Sequence, residues 1–134
     1  MTAQATFRLI SAKEFIRTTT SGKPDLEESK RVLVELAEIL EPPADYDILV
    51  DCREAHGTLT YADIYELAME LCRHPSAFRN KVAVLTRSDS QWDKASLFEV
   101  FARGRGYNVA AFTDFEEVIE WLSEGRYISP GEQE

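Results

Sequence analysis

The residue types best suited to chemistry in this sequence are concentrated in two short segments, each of which directly follows an apolar run. The first, residues 51–60, contains Asp51, Cys52, Arg53, Glu54, His56, Thr58 and Thr60. The second, residues 86–90, contains Arg87, Ser88, Asp89 and Ser90. Ligands of parallel sheets bind outside the carboxyl ends of the strands, so both segments are candidate sites if the apolar runs are strands.

Acid–base catalysis is the first chemistry that residues 51–60 suggest, because an Asp51 carboxylate near His56 could orient a general base. A nucleophile would have to complete this arrangement. The sequence has no Gly-x-Ser-x-Gly motif, and Cys52 would point to the opposite face of a strand from Asp51. We therefore expect no catalytic residue, an Asp51 carboxylate bonded to backbone amides, and a solvated His56.

Anion binding is the chemistry that the second segment favours. Arg87, with Ser88 and Ser90 beside a predicted helix start, could hold a small anion or a phosphorylated partner through its guanidinium and free backbone amides. The segment has no glycine, which excludes a phosphate-binding P-loop. His56 and His74 are the two histidines and show no ligand spacing, so we expect neither a metal nor a cofactor.

The elements that position these segments alternate between strands and helices. Three apolar runs, Ile48-Leu49-Val50, Val82-Ala83-Val84-Leu85 and Val109-Ala110-Ala111-Phe112, are continuous, as in parallel strands covered on both faces. Residues 7–10 and 14–20 predict an N-terminal hairpin around residues 11–13. The predicted fold is α/β, with a mixed sheet of about five strands and four helices in the order β-β-α-β-α-β-α-β-α.

Helix boundaries and core faces follow from spacing. The first helix is predicted over residues 24–40. Thr60 and Ser90 each precede an aspartate by three residues, which predicts that both are helix N-caps. In the helix after Thr60, periodicity places Ile64, Tyr65 and Leu71 on the buried face.

Length and charge limit the function classes. The 134 residues suit one domain, residues 1–134, with residues 123–134 as a frayed tail. The net charge of −9 disfavours binding to nucleic acid or anionic membranes. We see no signal peptide and no apolar run of about 18 residues, so we expect a cytoplasmic protein without a membrane span and with two reduced cysteines.

Five local motifs and the order of elements carry a family resemblance. The motifs are Ser21-Gly22-Lys23, Ile48-Leu49-Val50-Asp51-Cys52-Arg53, Lys81-Val82-Ala83-Val84-Leu85, Val109-Ala110-Ala111-Phe112-Thr113-Asp114 and Val118-Ile119-Glu120-Trp121-Leu122. They resemble the SpoIIAA-like group of the STAS superfamily, whose fold is that of the anti-sigma-factor antagonists. The resemblance covers nearly the whole chain.

This resemblance implies a non-enzymatic regulatory or interaction module that docks a protein partner through the loop and helix after the central strand. The expected contact or regulatory residues are Asp51, Arg53, His56, Thr58, Thr60 and Tyr61. In some relatives a serine or threonine at the start of that helix is phosphorylated, and Thr58 or Thr60 could accept phosphate here. The antagonists' Asp-Ser-Ser-Gly-like sequence is replaced by Gly57-Thr58-Leu59-Thr60-Tyr61.

The sequence leaves three other interpretations open. The superfamily is similar in fold to SEC14-type domains, which implies a module that binds a small lipid or apolar ligand. Asp51-Cys52-Arg53-Glu54 also resembles the Asp-x-Arg-Glu of rhodanese-like domains, although residues 86–90 lack the cysteine that sulfur transfer would need. A homodimer would cover exposed apolar helix faces.

Overall fold

Within the described residues, nine elements follow one another in the predicted order. The structure is a computed structural model that describes residues 4–10, 15–39 and 46–124. The strands are β1 (Gln4–Ile10), β2 (Phe15–Gly22), β3 (Asp47–Ala55), β4 (Val82–Leu85) and β5 (Val109–Phe112). The helices are α1 (Leu26–Ile39), α2 (Tyr61–Cys72), α3 (Ser90–Arg103) and α4 (Phe115–Ser123). The prediction of an α/β fold with four helices is confirmed.

The strands form one sheet in the order β1-β2-β3-β4-β5. β2, β3, β4 and β5 are parallel to one another, and β1 pairs antiparallel with β2. Because β2 to β5 run in the same direction, their four carboxyl ends meet at one edge of the sheet, where the candidate segments lie.

Two predicted segments fall wholly or partly outside the described residues. They are the turn at residues 11–13 and residues 125–134 of the predicted tail, whereas Ser123 is the last residue of α4.

Helices cover both faces of the sheet. On one face, α1, α2 and α3 pack on alternate strand residues such as Ile48 and Val82, with Leu36, Leu71 and Phe78 in the same cluster. On the other face α4 packs on the intervening residues, and its buried side chains contact Leu49, Ala83 and Leu85. Burial on both faces explains why the strands are continuously apolar. In the described part of the chain, no helix is long and apolar enough to cross a membrane.

The central strand is longer than predicted. We expected a loop to begin at Asp51, but β3 continues to Ala55. The reason lies in its neighbour: β2 also continues, and Ser21 pairs with Glu54 and Gly22 with Ala55 after a register shift between Thr19 and Ser21. The loop therefore shrinks to residues 56–60, and the side chains of residues 51–53 alternate across the sheet.

The helix starts agree with prediction at one of two positions. Thr60 is the N-cap of α2: its hydroxyl accepts the Asp63 N–H at 3.0 Å, and the Asp63 carboxylate accepts the Thr60 N–H. Ser90 is not the N-cap of α3. Asp89 takes that position, and its carboxylate accepts the Gln91 N–H at 2.9 Å. Aspartate is as good a cap as serine and stands one residue earlier.

Candidate functional site

The Asp51 carboxylate is held between two arginines on the α4 side of the sheet. Arg17 Nη2 donates to Oδ2 at 2.7 Å from β2, the neighbouring strand. Arg53 donates three hydrogen bonds: from Nε and the backbone N–H to Oδ1, at 3.0 and 3.1 Å, and from Nη2 to Oδ2 at 2.9 Å. Asp51 is only 3% exposed. Both carboxylate oxygens are therefore engaged, by Arg17 and Arg53 rather than by His56.

The electrostatics of this cluster keep Asp51 ionised. Burial alone would raise the pKa of the Asp51 carboxyl, but hydrogen bonds from the Arg53 side chain and backbone and from Arg17 outweigh burial, and the pKa lies below its ordinary value. The same contact raises the pKa of Arg53. The Arg17 guanidinium also lies 5.6 Å from the ring centroid of Phe115, at the start of α4. The cluster thus joins β2 and β3 beside α4, and Asp51 is not available as a base.

Cys52 lies on the opposite face of the sheet, as its alternation with Asp51 predicts. Its side chain lines a cavity beneath the α1, α2 and α3 layer. Burial, together with the nearby Asp51 charge, raises the pKa of the Cys52 thiol to about 12. Because the thiolate is the nucleophilic form of cysteine, Cys52 is poorly suited to sulfur transfer.

Arg87 fastens the end of β3 to the start of α3. Its Nη1 donates to the carbonyl oxygens of Arg53 and Ala55 at 2.5 and 3.0 Å, and its Nε donates to the Asp89 carboxylate at 2.9 Å. The bonds from the Gln91 N–H and from Arg87 hold the pKa of Asp89 below its usual range. Arg87 therefore has a structural role, and anion binding by Arg87 with the exposed Ser88 and Ser90 stays a prediction.

The predicted docking residues separate into two groups. Asp51 and Arg53 belong to the cluster beside α4, whereas His56, Thr58, Thr60 and Tyr61 lie in the loop and first turn that lead into α2. All four of these are exposed. The His56 N–H donates to the Gly22 carbonyl at 2.7 Å, which anchors the loop to the end of β2. Phosphorylation of Thr58 or Thr60 stays a prediction.

The outer face of α2 carries two exposed tyrosines one turn apart. Tyr61 is 56% exposed and Tyr65 40% exposed. Tyr65 was predicted to be buried, but it is exposed and packs edge-on against Phe101 of α3 with ring centroids 5.2 Å apart, while Leu67, which the prediction left out, is buried. The helical period is consistent with a buried or an exposed Tyr65, because this residue lies at the margin of the apolar face.

A cavity lies behind this loop, and the residue pattern alone did not reveal it, although the SEC14-type alternative implied an apolar-ligand site. The cavity has a volume of about 150 Å³ and lies between the sheet and the helices α1, α2 and α3. Gln91 and Lys94 of α3 line it together with Gly57 of the loop. The loop approaches α3 closely, since a Cβ atom on Gly57 would lie 2.7 Å from the Gln91 side-chain nitrogen. No group of three or more metal-ligating side chains occurs within the described residues.

Comparisons with known proteins identify the fold. No family model matches the sequence, and no curated protein matches it. A protein of the DUF3478 family from Shewanella loihica PV-4, which has a SpoIIAA-like fold, superposes with a TM-score of 0.62 at 16% identity, over 90% of this chain and 93% of that one. The anti-sigma factor antagonist SpoIIAA in its unphosphorylated form superposes with a TM-score of 0.56 at 13% identity, over 90% and 99%. The chain therefore has the SpoIIAA-like fold that its sequence motifs predicted.

Proposed function

We propose that this chain is a non-enzymatic interaction module of the STAS type, which docks a protein partner through residues 56–60 and the outer face of α2. The partner is a protein and not a nucleic acid, because a net charge of −9 repels phosphate. Pairing with a second copy of the chain stays a prediction.

The state of the reactive groups supports a non-enzymatic role. The Asp51 carboxylate is bound by two arginines, the Cys52 thiol has a raised pKa, and the Arg87 guanidinium is bound to backbone carbonyls and Asp89. A general base or nucleophile needs a free lone pair and a pKa near the working pH. None of these three groups meets that requirement.

The observation that carries the proposal is the pair of exposed tyrosines on a helix whose N-terminus is capped. Tyrosine is enriched among the residues that dominate binding energy at protein interfaces, because its ring buries a large area with few rotatable bonds. Tyr61 and Tyr65 present such rings at the start of α2, where the Thr60 capping box fixes the backbone. A pre-ordered helix end reduces the entropy lost on binding.

The fold comparison supports the same class of function. SpoIIAA is by name an antagonist of an anti-sigma factor, which is a protein, and this chain shares its fold over 90% of the residues. Identity of 13% is too low to transfer that particular partner. We therefore assign only the class of interaction to this chain.

The test compares three baits in an extract of the source organism: wild type, Tyr61→Ala and Ile39→Ala. Ile39 is the matched control, since it is an apolar side chain, 51% exposed, at the far end of α1. We expect that proteins retained by wild type and by Ile39→Ala are depleted about tenfold with Tyr61→Ala, which corresponds to about 1.4 kcal/mol of binding energy. Equal recovery with all three baits would exclude α2 as the docking face.

A further inference from the structure

The cavity beneath α1, α2 and α3 has the character of a small-molecule site. It runs from Val82, at the start of β4, to Thr86, just past the end of that strand, and it is partly open to solvent. Its walls are mainly apolar and include Val50, Val84, Leu67 and Phe98. Pockets of this composition, with a few polar groups near one end, are typical of ligand sites.

The volume limits the size of an occupant. An engineered apolar cavity of about 150 Å³ in another protein binds benzene. The cavity here has a volume of about 150 Å³, so it accommodates an apolar body of about six carbons. The acyl chain of a membrane lipid is too large to be enclosed, which separates this site from a lipid-transfer cavity.

Among the described residues that line the cavity, one is charged. Lys94 of α3 lines the cavity and is partly buried. Within the part of the chain that the structure describes, its ammonium group forms no ion pair or hydrogen bond. By contrast, Lys30 of α1 is paired with Glu66, with 3.8 Å between the ammonium nitrogen and the carboxylate oxygen. A partly buried cation beside an apolar cavity favours an anionic group at the cavity mouth.

From these observations we infer that the cavity binds a small monocarboxylic acid, with the hydrocarbon body between the sheet and the helices and the carboxylate at Lys94. A single negative charge matches a single ammonium group, whereas a phosphate would bring a second charge without a partner. Gln91, Thr86 and Cys52 also line the cavity and offer side-chain donors to the head group. This site is independent of the docking proposal, because it lies behind the loop and not on the outer face of α2.

The experiment uses hexanoate as the probe, with hexan-1-ol and hexylammonium as neutral and cationic probes with the same total number of carbon atoms. Each is titrated into the full chain labelled at its valine and leucine methyl groups, and binding is followed by NMR chemical shifts. We expect shifts in the cavity-lining methyl groups of Val50, Val84 and Leu67. Hexanoate should bind at least about tenfold more tightly than hexan-1-ol, and hexylammonium should bind most weakly.

Two variants locate the head group. Lys94→Met keeps the aliphatic stem and removes the charge, and it should weaken hexanoate binding about tenfold while leaving hexan-1-ol binding unchanged. Lys30→Met is the matched control and should bind hexanoate as wild type does. Absence of methyl shifts with all three probes at millimolar concentration would overturn the inference. A preference for hexanoate that survives in Lys94→Met would also overturn it, as would shifts confined to residues outside the cavity.

Discussion

Replacing Asp51 with asparagine tests whether the buried carboxylate stabilises the fold through its contacts with two arginines. The substitution keeps the size of the side chain but leaves two guanidiniums facing a neutral amide. Removing one partner of a buried ion pair costs about 3–5 kcal/mol when the other charge stays desolvated. The side chains of Arg17 and Arg53 are 28% and 41% exposed, so water can resolvate both. We therefore expect a loss of about 2–3 kcal/mol in the free energy of unfolding.

The assay is urea denaturation of wild type and Asp51→Asn, with Glu66→Gln as the control. Glu66 pairs with Lys30 at 3.8 Å on the helix surface and is 52% exposed, so its substitution should cost at most about 0.5 kcal/mol. An unchanged slope against urea would show that the denatured state is comparable in all three chains. A loss in Asp51→Asn no larger than in Glu66→Gln would refute the structural role.

The pH dependence of the same difference gives an independent check. The folded-state pKa of Asp51 lies below its ordinary value of 3.8, so the carboxylate stabilises the fold at pH values above the unfolded pKa. That stabilisation is lost as the pH falls through the folded pKa. The difference between wild type and Asp51→Asn should therefore be constant from about pH 7 to about pH 5 and should decrease below about pH 4. A difference that stays constant in acid would contradict the assignment.

Three further substitutions test local features by stability, reactivity and exchange. Thr60→Ala removes the α2 cap and should cost about 1 kcal/mol in urea denaturation, whereas Thr58→Ala, outside the cap, should change stability by less than about 0.5 kcal/mol. In a Cys72→Ser chain the remaining thiol, Cys52, should react with iodoacetamide about a hundredfold more slowly than in denaturant, and comparable rates would contradict its pKa of about 12. Lys81→Met removes two hydrogen bonds, each 2.6 Å long, to carbonyls at the end of α4, so amide exchange there should accelerate by about fivefold, and unchanged exchange would show that Lys81 does not hold this end.

The elements were predictable from the sequence because their signals are local. Continuous apolar runs such as Val82-Ala83-Val84-Leu85 mark strands with two covered faces, and the Thr60 and Asp63 spacing marks a helix start. Ser90 failed as an N-cap because Asp89, its neighbour, has the same capping ability. Local signals thus identify an element reliably and its end residue less well.

The Asp51 cluster was predictable only in part because its partners are set by strand register. Arg53 is two residues away and could be anticipated as a neighbour. Arg17 lies 34 residues earlier and reaches Asp51 only because β2 and β3 pair in parallel with Thr19 opposite Asp51. The extension of β3 to Ala55 has the same origin, since it depends on the paired residues of β2. Spacing along one strand carries no information on either point.

Only the SEC14-type resemblance hinted at an apolar-ligand site, and the residue pattern could not locate the cavity, because every apolar residue that lines it is also typical of an ordinary core. Ile64 and Leu67 follow the helical period of α2, and nothing in that period shows that the space between helices stays unfilled. Protein interiors normally close such spaces, whereas this one stays partly open to solvent with mainly apolar walls. An apolar occupant would remove that wall surface from water, which gives a thermodynamic reason to expect one beside Lys94.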